Sequence, residues 1–369
     1  MWFSWELSLD CCRRAIVAFG NSSRAASSEL AGESEDRVSN RVAVVTGGTA
    51  GLGRAIVREL AGRGFDVAVL ARGQDGLDGA LADIRSAGVR GVGISVDVAD
   101  RNQVEGAADE VESELGPIDL WVNNAMVGVF GEFLDTNADD FERAVAVDFF
   151  GFVNGTRTAL SRMRPRDRGH VIQIGSALAH RGIPLQAAYC ASKHAITGFT
   201  ESVLGELMHD GSQVKISQVD MPAMNTMQFD WVKSSLPEHP QPVPPIYQPE
   251  VCARVVADVA ERPRRRTWVG ESTVMTILGN RFASRIADRA AARSGFSGQQ
   301  TSKDRAPMLG PNLYTPVAGD HGAHGDFDDR SWAVTPQTWA IQHRRGMLAG
   351  LAGVAVAAVA AGSAVARRS

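Results

Sequence analysis

From Arg41 onward, short runs of β-branched residues alternate with stretches whose apolar residues recur at helical spacing, and this alternation leaves the chain few folds. The runs are 42–45, 67–70, 92–96, 118–122, 171–174 and 214–219; stretches such as 54–63 and 104–115 separate them. Strand alternating with helix over this length means βαβ units, hence a parallel sheet with helices on both faces. Right-handed crossovers narrow this to a doubly wound, Rossmann-type α/β sheet. A helix at 250–261 and a strand at 267–269 are expected to close it, giving one domain over 41–294 with a C-terminal extension.

The first strand runs directly into Thr46-Gly47-Gly48-Thr49-Ala50-Gly51-Leu52-Gly53, and a helix follows. Glycines at 47, 51 and 53 let the backbone turn tightly and approach a pyrophosphate, which would rest on the N–H groups of the helix start. No Gly-Lys-Ser/Thr follows, so the turn is not a P-loop. The second strand ends at Arg72, about 20 residues on, where a carboxylate would bind the ribose 2′-hydroxyl of NAD. A guanidinium there suits a 2′-phosphate instead, so NADP(H) is expected over NAD(H).

Tyr189-Cys190-Ala191-Ser192-Lys193 lies in a helical pattern starting near Pro184, which puts Tyr189 and Lys193 on one face. A nearby ammonium favours the phenolate and is expected to draw the tyrosine pKa down, giving acid/base capacity. Ser176 ends a strand at the carboxyl edge of the sheet, where open α/β folds bind ligands. Its hydroxyl can donate to a substrate oxygen as charge develops there.

Taken in order, Thr46-Gly-x-x-x-Gly-x-Gly53, Asp97, Asn123-Asn124-Ala125, Ser176 and Tyr189-x-x-x-Lys193 resemble the short-chain dehydrogenase/reductase family, over about residues 41–226. The resemblance implies that Tyr189 is the acid/base, and that Lys193 binds the nicotinamide ribose and tunes Tyr189. It implies that Ser176 positions a carbonyl, Asp97 holds the adenine and Asn123 supports the cofactor strand. Leu52, Ala125, Pro222 and Thr226 fall at its cofactor-contacting positions, the last two in what looks like the nicotinamide-side loop. Met126 and Ala223 stand where the family has glycines. Asp148 stands where many members have an Asn of the proton relay, and is read here in that catalytic role. The family commonly forms dimers or tetramers through the helices bearing Asp148 and Tyr189, so a homodimer or homotetramer is expected.

The activity implied is interconversion of a secondary alcohol and a ketone or aldehyde on a hydrophobic substrate, with Met224, Met227 and Trp231 as a lid. Two other readings stay open: a non-catalytic NADP-binding sensor or scaffold, and a nucleotide-sugar epimerase or dehydratase, which shares Tyr-x-x-x-Lys. With 38 Lys and Arg against 42 Asp and Glu, the chain lacks the clustered cations of a nucleic-acid binder. Cys11, Cys12, Cys190 and Cys252 give neither a disulfide framework nor metal-ligand spacing, which fits a reducing, cytoplasmic-side location and no bound metal. The segment 320–326, with two His and two Asp among glycines, reads as a solvated or interface loop. Residues 1–40 read as a disordered leader and 295–345 as an irregular arm. Within 346–369, the apolar run 347–366 is flanked by Arg344, Arg345, Arg367 and Arg368. As a helix it would measure about 30 Å, enough for a membrane anchor, with an Ala-rich packing helix as the other reading.

Overall fold

A computed structural model describes residues 40–304, 309–341 and 343. Its centre is a seven-stranded parallel sheet: β1 (Val42–Thr46), β2 (Asp66–Ala71), β3 (Gly91–Ser95), β4 (Ile118–Asn123), β5 (His170–Ser176), β6 (Lys215–Met221) and β7 (Arg266–Trp268). The order across the sheet is β7-β6-β5-β4-β1-β2-β3. The six runs named above are strands, and the seventh strand of the sequence reading is the edge strand β7.

Residues on β1 and β2 are buried on both faces, so each strand reads as a nearly unbroken apolar run. Alternate side chains enter opposite cores. Ala43, Val45, Val67 and Val69 pack with α1 (Gly51–Gly62), α2 (Gln74–Ser86) and the later helix Pro249–Glu261. Val42, Val44, Ala68 and Leu70 pack with α3 (Arg101–Glu114), α4 (Ala138–Val145), α5 (Gly151–Met163) and α6 (Ala187–His209). The strand order reverses between β1 and β4, which brings the turn after β1 opposite the loop after β4 and opens a crevice there.

Two local details position the site. Between α4 and α5 the helix widens into a five-residue π-turn, Ala146–Phe150, carrying Asp148. Helix α6 starts at Ala187 and not at Pro184, because Leu185 takes a left-handed φ of 70° while its side chain joins a cluster with Phe130, Phe229 and Phe327.

After β6 come a short helix α7 (Gln228–Trp231), then α8 (Pro249–Glu261) and α9 (Glu271–Ser294). The Pro-rich stretch read as a plain loop is pinned at two places. Glu238–Pro240 pairs antiparallel with Gln300–Asp304, and Ile246–Tyr247 pairs with Ser331–Trp332. After α9 come a 3-10 turn, Ser297–Gln299, and the strand Gln300–Asp304, and from Gly310 the chain runs along the carboxyl edge of the sheet. Among the described residues no helix is long and apolar enough to cross a membrane. The leader through residue 39 and the run 347–366 lie outside the described residues.

Candidate active site

The turn after β1 is shaped by its glycines. Gly47 and Gly51 have φ of +65° and +56°, in the left-handed region. A Cβ on Gly53 would overlap the Gly47 carbonyl oxygen and come within 2.6 Å of Asn124 Nδ2. Helix α1 begins here, and its first-turn N–H groups have no intrahelical acceptors, that of Gly51 donating to the Gly322 carbonyl at 2.9 Å. That arrangement fits a pyrophosphate. Gly47, Gly51, Leu52 and Gly53 all line a cavity of about 610 Å³ that runs along the carboxyl edge of the sheet.

The same cavity takes in Ser176, Tyr189 and Lys193. Strand β5 delivers Ser176 at its last residue, and helix α6 presents Tyr189 and Lys193 one turn apart. Lys193 is buried; its Nζ donates to the Ile174 carbonyl at 2.9 Å and sits 4.6 Å from the Phe152 ring and 5.5 Å from the Tyr189 ring. Burial lowers the Lys193 pKa to about 8, against the opposing pull of Asp148 and Asp220.

Tyr189 corrects one expectation. Its pKa is raised, not drawn down: desolvation outweighs the hydrogen bond from Ser176, and Asp148 and Asp220 push the same way. The phenol therefore carries its proton at neutral pH. It is set up as a general acid, the form that carbonyl reduction consumes.

Asp148 also departs from its expected place. It is fully buried and does not line the cavity; its neighbour Val147 does. Oδ1 accepts the Val127 N–H at 2.8 Å, and Oδ2 has no hydrogen-bond partner among the described residues. Desolvation raises its pKa to about 7, offset by Lys193. Its charge is felt at the cavity through Lys193, whose pKa it pulls upward.

Two more corrections concern the cofactor list. Asn123 faces away from the cavity, in a buried network with Trp121, Thr156 and Gln173 at 2.8–3.0 Å. Its neighbour Asn124 lines the cavity and holds the Gly turn, donating to the carbonyls of Thr46 and Gly47. Thr46 likewise turns inward: its Oγ1 accepts the N–H groups of Asn124 and Ala125 and ties β1 to the loop after β4. Ala125, Asp97, Pro222 and Thr226 line the cavity.

Arg72 lines it too, with its guanidinium already engaged: Nη1 donates to the Leu313 carbonyl at 3.2 Å and Nη2 to that of Asn312. Asp97 is paired with Arg143 at 2.5 Å. The segment 320–326 is held by partners: Asp320 pairs with Arg54, and His324 bridges Glu250 and Asp328. Sequence reasoning missed a part-buried pair beside the site, His180 Nε2 to the buried Asp220 Oδ2 at 2.9 Å. Its only signal was a histidine four residues past Ser176 and an aspartate near the end of β6.

Met126, Met224, Met227 and Trp231 also line the cavity, joined by Met275, Thr276 and Gly279 of α9. The walls here are mostly apolar.

The short chain dehydrogenase family model matches residues 41–234. An uncharacterized oxidoreductase of Bacillus subtilis, YxnA, is 29% identical over 288 residues, covering 77% of this chain and 81% of that protein. Another, Mb1570 of Mycobacterium bovis, is 28% identical over 287 residues, covering 73% and 81%. Among solved structures, a short-chain dehydrogenase/reductase from Burkholderia phymatum in complex with NAD superposes with a TM-score of 0.62 at 21% identity, covering 67% of this chain and 95% of that one. A metagenomic short-chain oxidoreductase in complex with NADP gives 0.53 at 28% identity, covering 62% and 96%.

Proposed function

The chain belongs to the short-chain dehydrogenase family, and from that premise we propose that it uses NADP(H) to interconvert a hydrophobic secondary alcohol and its ketone or aldehyde. The observation that carries this is the convergence of Ser176, Tyr189 and Lys193 on one cavity continuous with the Gly turn. The nicotinamide dinucleotide supplies the hydride when bound. Ser176 donates to the carbonyl oxygen, and Tyr189 delivers its proton to that oxygen as negative charge develops. Lys193, cationic below about pH 8, steadies the phenolate left behind. A panel of carbonyls and alcohols, followed at the nicotinamide absorbance band with both cofactors, tests it. Turnover of apolar ketones or aldehydes with NADPH is expected; no turnover across the panel would favour the sensor reading.

The preference for NADP(H) rests on Arg72. Two of its five N–H donors go to arm carbonyls, leaving others for a 2′-phosphate at the cavity wall. A charge-assisted contact is worth about 1.5–3 kcal/mol, or roughly 10–100-fold. Dissociation constants for NADPH and NADH should show that preference in the wild type and its loss in Arg72→Ala. An unchanged ratio would show that Arg72 reads nothing.

We place Asp148 in the proton chemistry through Lys193. Its carboxylate raises the Lys193 pKa, so Asp148→Asn removes that support and lets burial lower it further. The alkaline limb of the pH–rate profile should move to lower pH, and the inflection from a carboxyl near 7 should vanish. A profile superimposable on the wild type would leave Asp148 purely structural.

Two contacts complete the reading. Phe149, Phe150 and Phe199 cluster on the α5–α6 side with Phe150 exposed, an apolar face suited to a homodimer or homotetramer. Sedimentation as a monomer at micromolar concentration would contradict it. The run 347–366 is proposed as a membrane contact on the cytoplasmic side. Helix α9 carries exposed Met275, Leu278, Phe282 and Ile286, and Gln337, near the last described residues, hydrogen-bonds Glu271 and Gly270 at its start. The full chain should fractionate with membranes and a chain ending at Arg345 should not; the same distribution for both would refute the anchor.

A further inference from the structure

The C-terminal arm does not simply pack on the domain; it follows the dinucleotide groove. The Asn312 carbonyl accepts from Arg72, and the Leu313 carbonyl accepts from both Arg72 and Arg143, at 3.2 and 3.1 Å. Leu313 itself is fully buried. Pro316 lies against Gly73, where a Cβ would sit 3.2 Å from the Pro316 Cβ. Next, the Gly319 N–H donates to Asp75 at 2.7 Å, and Asp320 pairs with Arg54 at 2.7 Å. Last, the Gly322 carbonyl accepts the N–H of Gly51 at 2.9 Å, at the very turn that fits the pyrophosphate. In eleven residues, 312–322, the arm has touched the end of β2 and the start of both α1 and α2.

The space beneath it stays open. Gly51, Leu52, Asp97 and Val98 of the domain and Pro316, Val317 and His321 of the arm line the same cavity. An arm that plugged the groove would leave no such gap.

We infer that residues 312–322 are the outer wall of the cofactor site, a strap under which the adenosine and pyrophosphate half of a nicotinamide dinucleotide is enclosed. This rests on the reading of the groove as an NADP(H) site. Family motifs place the inner wall only; the arm adds a second set of cofactor-contacting residues, Pro316, Val317 and His321. It also fixes Arg72 from outside through two main-chain carbonyls. Entry and release of the dinucleotide then require the strap to lift.

The anchor at Asp320 can be cut without stranding a charge. Arg54 is 2% exposed, but it keeps Asp83 at 2.5 Å and the Thr49 carbonyl at 3.1 Å. In stopped-flow displacement of bound NADPH from the full-length protein, Asp320→Ala should speed dissociation tenfold or more and weaken affinity. A second variant locks the strap. Gly73 has an ordinary φ of −96°, and its Cβ would lie close to the spacing of a disulfide pair with position 316. Gly73→Cys with Pro316→Cys, oxidised, should slow both binding and release at least tenfold, and dithiothreitol should restore them. Unchanged rates in Asp320→Ala and in both redox forms of the double variant would overturn the strap. Tighter NADPH binding in Asp320→Ala would overturn it too, since it would mean that the arm obstructs the site. Failure of the wild type to bind NADPH at all would instead refute the underlying cofactor assignment.

Discussion

Replacing Tyr189 by phenylalanine should lower turnover by about 10²–10⁴-fold and leave NADPH affinity within a few-fold of the wild type. The size follows from what is removed. The phenol is protonated at neutral pH because desolvation raises its pKa, so it is the ready proton donor at the cavity wall. Phenylalanine keeps the ring and its packing on α6 but has no proton to give. Affinity is spared because the Gly turn and Arg72 lie elsewhere on the cavity. Single-turnover rates beside a fluorescence titration separate the two effects. Activity within a few-fold of the wild type would remove Tyr189 from the chemistry.

Gly53→Ala should be nearly as damaging, by a different route. The added methyl has to displace the Gly47 carbonyl or Asn124, and these two groups hold the turn together through a 3.2 Å hydrogen bond. Overpacking of this kind costs about 1–3 kcal/mol, and an opened turn no longer presents its amides to a pyrophosphate. NADPH affinity should fall by about 10²-fold, the upper end of that energy converted to a binding constant. Gly62→Ala, on the same helix with nothing within 4 Å of its Cβ, is the control. It should bind NADPH normally and gain stability through helix propensity. Equal affinity in the two variants would mean that the close approach at Gly53 has no bearing on the site.

The parts of the molecule legible in the sequence are those whose signal is local. Strands β1 and β2 are buried on both faces, so their residue types alone mark them; β7 was expected at 267–269, one residue off its observed span. Helical spacing ties Tyr189 to Lys193, and the family resemblance adds Ser176 to them. What stayed hidden depends on orientation or distance. At the end of β4 successive side chains point to opposite faces, so Asn123 and Asn124 trade roles by one residue, and nothing in the sequence says which faces the groove. The direction of the Tyr189 shift turned on desolvation, which spacing to Lys193 cannot reveal. Asp320 reaches Arg54 across 266 positions, and the arm grips Arg72 through main-chain carbonyls, which leave no residue signature. The His180–Asp220 pair forms only when β6 lies beside β5.

The most direct test of the central claim is to follow the hydride itself. NADPH deuterated at nicotinamide C4, on the face that is transferred, is incubated with an apolar ketone or aldehyde that the enzyme consumes, and the product alcohol is examined by mass spectrometry and NMR. The account predicts one deuterium on the carbinol carbon for each NADPH oxidised, with the reaction slowed by about 10²–10⁴-fold in Tyr189→Phe. NADPH oxidation with no deuterium at that carbon would contradict it.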